Sequence, residues 1–439
     1  MLIYTERNSP RLTYILDFIL GDLMGLAYRL TNDKDNFKNY NGAKFCYAKH
    51  PVADEIFFEA VDLLFETNVT LQPISFAEQG KMLGFYQVSE RSAMPFDFLA
   101  SAFLMISLYN EYLPNKKDKY DRYRGSQSLN YKLGILEKPM INYYAHELKK
   151  ILSAKFPELV FKQNKFEYIA TFDVDMAYSY LEKGARINAG GFMRSLVLSD
   201  FSDIRNRYRV LFRGKRDPFD TFDYLFKICK EAQAKTMFFF LLGNRSKLDK
   251  NISHTNERFR KLIKKISEKT EVGIHLSFRS HIANDVMETE MHRLEEITGK
   301  PVFRNRFHYL RFLVPASYVR LVKIGIKEDY SMGYAARVGF RAATCSPFMF
   351  FDLVKNEPTE LKIYPFAFMD TTFTHYNRRD PEEALERILT MMKYVREVGG
   401  PFVGLWHNSS FTEQGEWVGW KNVFETVARE AGAIMKQQQ

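Results

Sequence analysis

The chain has 439 residues, 46% hydrophobic and 15% aromatic, enough for a large core and for two or three structural units. Its three cysteines, Cys46, Cys229 and Cys345, show no CxxC spacing, which excludes a disulfide framework and a cysteine zinc site and fits a reducing compartment. The formal net charge is +10, of which residues 1–165 carry only +2. The densest basic stretch runs from Arg205 to Arg216. It reads either as a solvated basic loop or as a contact for an acidic glycan, a lipid diphosphate or a membrane surface. No recognition motif for nucleic acid accompanies it. No basic n-region leads into an apolar h-region at the N-terminus, and no apolar run is long enough to span a bilayer; the expected location is cytoplasmic.

Residues 1–165 read as an α/β unit of unknown role. A short strand at Leu2 to Tyr4 leads to Asn8-Ser9-Pro10, where Ser9 caps a helix and proline sits in its first turn. That helix extends to about Met24. Strand-like runs follow at 26–30, 43–48 and 55–59. Pro95 opens a second helix, Phe96 to about Tyr112, whose aromatic stripe reads as core. A polar segment from Pro114 to Gly125 reads as a surface loop. A helix near 146–154 ends the unit.

From about 166 to 439 short apolar runs alternate with helical periodicity. Strands are expected at 168–172, 236–242, 271–274, 301–303, 328–330, 361–364 and 402–406. Helices are expected at 221–232, 258–268, 285–298, 317–324 and 381–398. This alternation predicts a parallel α/β architecture, and polar residues at several strand ends suit a β/α barrel with its site at the C-terminal ends of the strands.

Four strand ends carry chemistry. Thr171-Phe172-Asp173-Val174-Asp175 places two carboxylates at i and i+2, on one face of a strand. Such a pair needs a cation, a proton or an arginine beside it. Val272-Gly273-Ile274-His275 ends in histidine, Arg304-Asn305-Arg306-Phe307-His308 adds arginines and a histidine, and Phe402 to Asn408 ends in His407-Asn408. Each histidine alone has a structural explanation; the four ends together make coincidence much less probable, and a metal site with a carboxylate base is one way to satisfy the aspartate pair.

These motifs, in this order, resemble those of the polysaccharide deacetylase family of the carbohydrate esterase family 4 type. Asp217 to Tyr224, Glu328 to Tyr334, Gly339 to Thr344 and Leu405 to Asn408 resemble a branch with an N-terminal α/β domain. The resemblance implies a distorted (β/α) barrel and a divalent metal, most commonly Zn²⁺, used to remove acetyl groups from sugars. It implies Asp173 as general base, Asp175 and His275 as metal ligands, Arg306 (with Arg304 second) as the arginine orienting the base, and His407 as general acid. The usual place of the second histidine, four residues after the first, is taken here by Arg279; His308 is the favoured substitute and His281 the other candidate. Tyr334 and Trp406 are candidates for stacking on a sugar face, against a packing role.

The activity implied is hydrolysis of a carbon–nitrogen bond other than a peptide bond, removing the N-acetyl group from an amino sugar in a glycan, glycolipid or carrier-linked sugar; a phosphorylated or lipid-linked substrate is compatible with it. No transmembrane segment is expected, and a peripheral membrane contact is compatible with the basic stretch. Two other readings stand beside it: a non-catalytic glycan- or lipid-carrier-binding protein on a degenerate barrel, and another metal hydrolase on the same scaffold.

Overall fold

The computed structural model describes residues 1–438. Its N-terminal part is built on a parallel sheet of β1 (Leu2–Tyr4), β2 (Arg29–Thr31), β3 (Lys44–Ala48) and β4 (Phe57–Glu59), in the order β2-β1-β3-β4. The Ser9 hydroxyl accepts the Leu12 N–H, and the helix begun at Pro10 continues as a π-helical stretch to Leu23. A hairpin of β5 (Phe76–Gln79) and β6 (Met82–Phe85), not anticipated from sequence, follows. Asp97, rather than Pro95, caps the next helix, Phe98–Ile106, every residue of which is buried.

The second sheet contains β7 (Phe166–Val174), β8 (Lys235–Phe240), β9 (Glu271–Leu276), β10 (Arg304–Phe307), β11 (Glu328–Met332), β12 (Phe348–Asp352), β13 (Glu357–Pro365), β14 (Phe368–Met369) and β15 (Gly400–His407). Its order is β12-β13-β11-β10-β9-β8-β7-β15-β14, and only the β12–β13 pair is antiparallel. The sheet curls until its two sides meet in one segment. Residues of β13 pair with β11, and a few residues later the Ala367 N–H reaches Val403 O at 2.9 Å and β14 pairs with β15. The ring β7-β8-β9-β10-β11-β13/β14-β15 is a distorted parallel β/α barrel, as the alternation of elements predicts.

Alternation along β7 sets the site. Tyr168, Ala170, Phe172 and Val174 pack outward into the main core with Trp406 and Phe424, while Ile169 joins the interior cluster of Val403, Leu405 and Phe366. Thr171 and Asp173 alternate with the core-packed residues and share the interior parity of Ile169.

Three expectations are corrected. The fourth barrel strand is not 301–303 but Arg304–Phe307, so Arg306 lies within a strand. The basic stretch is not a loop: two helices, Ala185–Val197 and Phe201–Arg213, stand between β7 and β8. The segment 114–125 is only partly surface, since Arg122 and Tyr123 are buried.

One core cluster runs through both parts, joining residues such as Ile15 and Phe103 to Phe351 and Leu361. At this junction the Arg341 guanidinium donates from Nε to Glu111 Oε1 (2.9 Å) and from Nη2 to Glu111 Oε2, with both residues buried. Among the described residues no helix is long and apolar enough to cross a membrane.

Candidate functional site

Asp173 lies near the end of β7 and Asp175 just beyond it. In the next strands, register places His275 of β9 opposite Arg306 of β10. Arg306 is wholly buried inside the barrel, with its guanidinium 4.5 Å from the Phe239 ring centroid. It donates to Asp173 Oδ1, to Thr171 Oγ1 (both 2.8 Å) and to Tyr330 O (2.9 Å). A buried carboxylate next to a charge-matched arginine that is itself tied down by two further hydrogen bonds is held in one orientation.

Asp175 is less enclosed, with 31% of its side chain exposed. Three imidazole Nε2 atoms approach it: His275 at 3.2 Å, His308 at 3.5 Å and His407 at 3.9 Å. His275 Nε2 also lies 3.6 Å from Asp173 Oδ2. Asp175, His275 and His308 each offer a donor atom, all within 4.8 Å of one another.

The hydrogen bonds behind the rings determine which nitrogens face inward. His275 Nδ1 is 2.9 Å from Arg306 O, and a carbonyl can only accept, so Nδ1 carries the proton. His308 Nδ1 is 2.8 Å from Asp249 Oδ1, a carboxylate that likewise accepts. In their neutral forms both rings therefore turn an Nε2 lone pair toward Asp175. Two lone pairs and a carboxylate converging on one point repel unless a cation or protons stand between them. The donor set, with a backing carbonyl on one histidine and a carboxylate on the other, fits a divalent ion.

Without such an ion, protons do the work. Burial opposes charge on His308, but Asp175 and Asp249 overcome it and raise its pKa to about 9. Burial likewise acts to raise the Asp175 pKa, yet His308, His275 and His407 hold it well below the usual carboxylate range. His407 closes the other side. Burial opposes its charge, but Asp370, 2.7 Å from Nδ1, with Asp175 and Asp173 beyond, raises its pKa to about 10. Asp370 also accepts from the His407 N–H and the Ser410 hydroxyl.

Directly after His308, Tyr309 and Leu310 adopt positive φ (60° and 51°), a left-handed turn that non-glycine residues seldom take. Arg122 from the N-terminal part clamps that turn by donating to Tyr309 O at 2.7 Å and to the Tyr376 hydroxyl at 3.1 Å. Tyr120 packs against Tyr309 and Phe278. The 114–125 segment thus fixes one rim of the site.

The structure brings Asp173, Asp175, His275, Arg306, His308 and His407 together. Other candidates stand apart. Arg304 pairs with Glu271 and Glu328 at the opposite end of the strands. Arg279 is exposed. His281 is buried outside the cluster, and burial with Arg311 nearby lowers its pKa to about 4. Trp406 and Tyr334 are core residues: Trp406 donates to the Tyr168 hydroxyl and packs on Phe424, and Tyr334 lies between Tyr123 and Arg341, so neither is available to stack on a sugar. Sequence reasoning missed Asp249 and Asp370. Both lie outside the strand-end motifs, and only a search for carboxylates behind the histidines would have raised them.

Residues 1–157 match the model of a family of unknown function, DUF7033. No curated protein matches the chain. Among solved structures, the chain is similar to a Mycobacterium smegmatis protein assigned as a polysaccharide deacetylase (TM-score 0.38, 16% identity, over 63% of this chain and 92% of that one). It is also similar to the polysaccharide deacetylase Bc1974 from Bacillus cereus (TM-score 0.30, 13% identity, 62% and 89%). A third is BA3943 from Bacillus anthracis, a CE4 family pseudoenzyme (TM-score 0.31, 13% identity, 63% and 63%). Likenesses this distant carry neither substrate nor residue roles to this chain.

Proposed function

We propose that the chain is a metal-dependent hydrolase that removes the N-acetyl group from an amino sugar in a glycan, glycolipid or carrier-linked sugar. The observation that carries this reading is the convergence of two oriented Nε2 atoms on Asp175 beside an arginine-held Asp173. In this reading residues 166–439 form the catalytic barrel and residues 1–165 a separate unit that braces its rim. Three buried, free cysteines accord with a cytoplasmic setting.

Asp175, His275 and His308 would hold the ion, and Zn²⁺ suits one carboxylate and two imidazoles with positions left open. When bound, a divalent ion of this kind supplies Lewis-acid polarisation of the acetyl carbonyl and lowers the pKa of water. Asp173, aimed by the Arg306 guanidinium, takes the proton of the attacking water. His407, held by Asp370 through Nδ1, presents Nε2 to the opposite side and delivers a proton to the leaving amine. Against a degenerate barrel, which the departure at Arg279 would favour, the reading is supported by the His308 imidazole, which offers a donor atom beside Asp175 and His275.

The test is release of free amine from a panel of N-acetylhexosamines and their phosphorylated and lipid-linked forms, with metal analysis in parallel. Amine release that needs both metal and Asp173 supports the reading. Metal binding without hydrolysis of any member favours a binding protein, and hydrolysis only of another bond favours a different hydrolase.

A further inference from the structure

The helices Ala185–Val197 and Phe201–Arg213 form a hairpin whose polarity is inverted. Its polar side chains lie between the helices. Arg207 donates to Asn188 Oδ1 (2.9 Å) and Asp203 Oδ2 (3.2 Å), the Ser195 hydroxyl donates to Asp203 Oδ2 (2.5 Å), and Gly191 leaves room for the Arg207 guanidinium. Most of its apolar side chains point outward, Val210 being the buried exception. Residues 196–202 are all exposed, with Val197 at 78% and Phe201 at 64%, and Met193, Leu196 and Leu198 are more than half exposed. On the second helix the 3.6-residue period puts Phe201, Arg205, Tyr208 and Phe212 on one face, and all four are exposed. An ordinary helical hairpin buries such residues and solvates the polar ones.

Residues 185–216 hold eight basic and two acidic residues, +6 of the chain's +10. Arg186, Arg194, Arg205, Arg209 and Arg213 make no ion pair among the described residues, whereas Arg207 and Arg216 do. Apolar side chains at the turn, flanked by unpaired guanidinium groups, match an anionic lipid surface. The apolar groups reach the acyl boundary while the guanidiniums meet phosphates. A protein partner would have to desolvate those cations without the lattice of phosphates that a bilayer offers.

We infer that this hairpin is an interfacial membrane anchor that docks the protein on anionic lipid. Its root lies beside the catalytic candidates. Asp217 accepts the N–H groups of Ser179, Tyr180 and Leu181, and the Asn408 side chain, next to His407, donates to Met176 O and Phe219 O. The anchor is therefore joined directly to the segments that follow Asp175 and His407. The inference stands on the hairpin alone and does not depend on the reaction proposed above.

The test is co-sedimentation of the full chain with vesicles of phosphatidylcholine doped with phosphatidylglycerol, and with phosphatidylcholine alone. Binding to the anionic vesicles, weakened by high salt and reduced by about tenfold or more in Leu198→Asp and in Phe201→Asp, is the expected result. Arg205→Glu with Arg209→Glu should lower binding to the anionic vesicles without changing thermal unfolding, since these side chains make no ion pair. No binding to anionic vesicles overturns the inference, as does binding that the tip substitutions leave unchanged. Light scattering that shows self-association abolished by the same substitutions, without vesicle binding, assigns the face to a second copy and overturns it as well.

Discussion

Asp249 offers the sharpest test of how the site is held, because it lies one bond behind the proposed ligands. It is buried, and Oδ1 accepts from His308 Nδ1 (2.8 Å) and the Phe278 N–H (2.9 Å), while Oδ2 accepts from the Ser246 hydroxyl (2.9 Å). Burial acts to raise its pKa, but His308 and the Phe278 N–H outweigh this and lower it, so it is a carboxylate at neutral pH. In Asp249→Asn the amide oxygen keeps both Oδ1 bonds, while the amide nitrogen meets a Ser246 hydroxyl that already accepts from the Leu248 and Asp249 N–H groups. Size is preserved, and the charge and the Ser246 bond are lost. Removing a partner of this kind weakens metal binding by about 10–100-fold, or roughly 1.4–2.7 kcal/mol. Asp249→Ala also strands the Phe278 N–H, adding a folding cost of about 1–3 kcal/mol. Competition against a chromogenic chelator, with thermal unfolding of each metal-stripped protein, separates the two effects. Equal metal affinity in Asp249→Asn and the parent refutes the claim that Asp249 orients and polarises His308 toward a cation.

Other outcomes follow from the same contacts. Arg306→Met leaves Asp173 buried without its counter-charge, and denaturant titration should show a loss of about 3–5 kcal/mol. His407→Ala should retain metal yet lose about 10²–10⁴-fold in amine release, read from initial rates and metal content of the same preparation. Glu290, buried and bonded to the Ser277 N–H, has its pKa raised to about 7 by burial. Its native form holds a proton that the unfolded form releases above about 4.5, so its contribution to stability is full below that pH and lost as pH rises through 7. Glu290→Gln should remove up to about 3 kcal/mol of that pH dependence, measured by urea unfolding at pH 5 and pH 8. Glu111→Ala leaves Arg341 buried and unpaired between the two parts of the molecule, and its unfolding free energy should fall by about 3–5 kcal/mol.

The barrel strands that sequence reading locates well are those buried on both faces. β7, β8, β9 and β15 read as apolar runs because helices cover one side and the barrel interior the other. β10 escapes this logic. Its sequence Arg304-Asn305-Arg306-Phe307 is polar, and each of its three polar residues reaches a partner: Arg304 with Glu271 and Glu328 and Asn305 Nδ2 with Asp329 on the neighbouring strands, Arg306 with Asp173 across the barrel interior. The hairpin at 185–213 was hidden for the opposite reason, since its apolar residues face outward and its helix contact is polar. Asp173, Asp175, His275 and His407 are legible as strand ends. The choice between His308 and His281 is not, because it depends on the left-handed turn at Tyr309 and on Asp249, 59 residues away in sequence.

In the proposed site Asp175, His275 and His308 hold one divalent ion. Elemental analysis of the purified full chain beside His308→Ala and His281→Ala tests it most directly. About one metal per chain is expected in the parent and in His281→Ala, with loss of metal in His308→Ala. Metal retained in His308→Ala and lost in His281→Ala would contradict it.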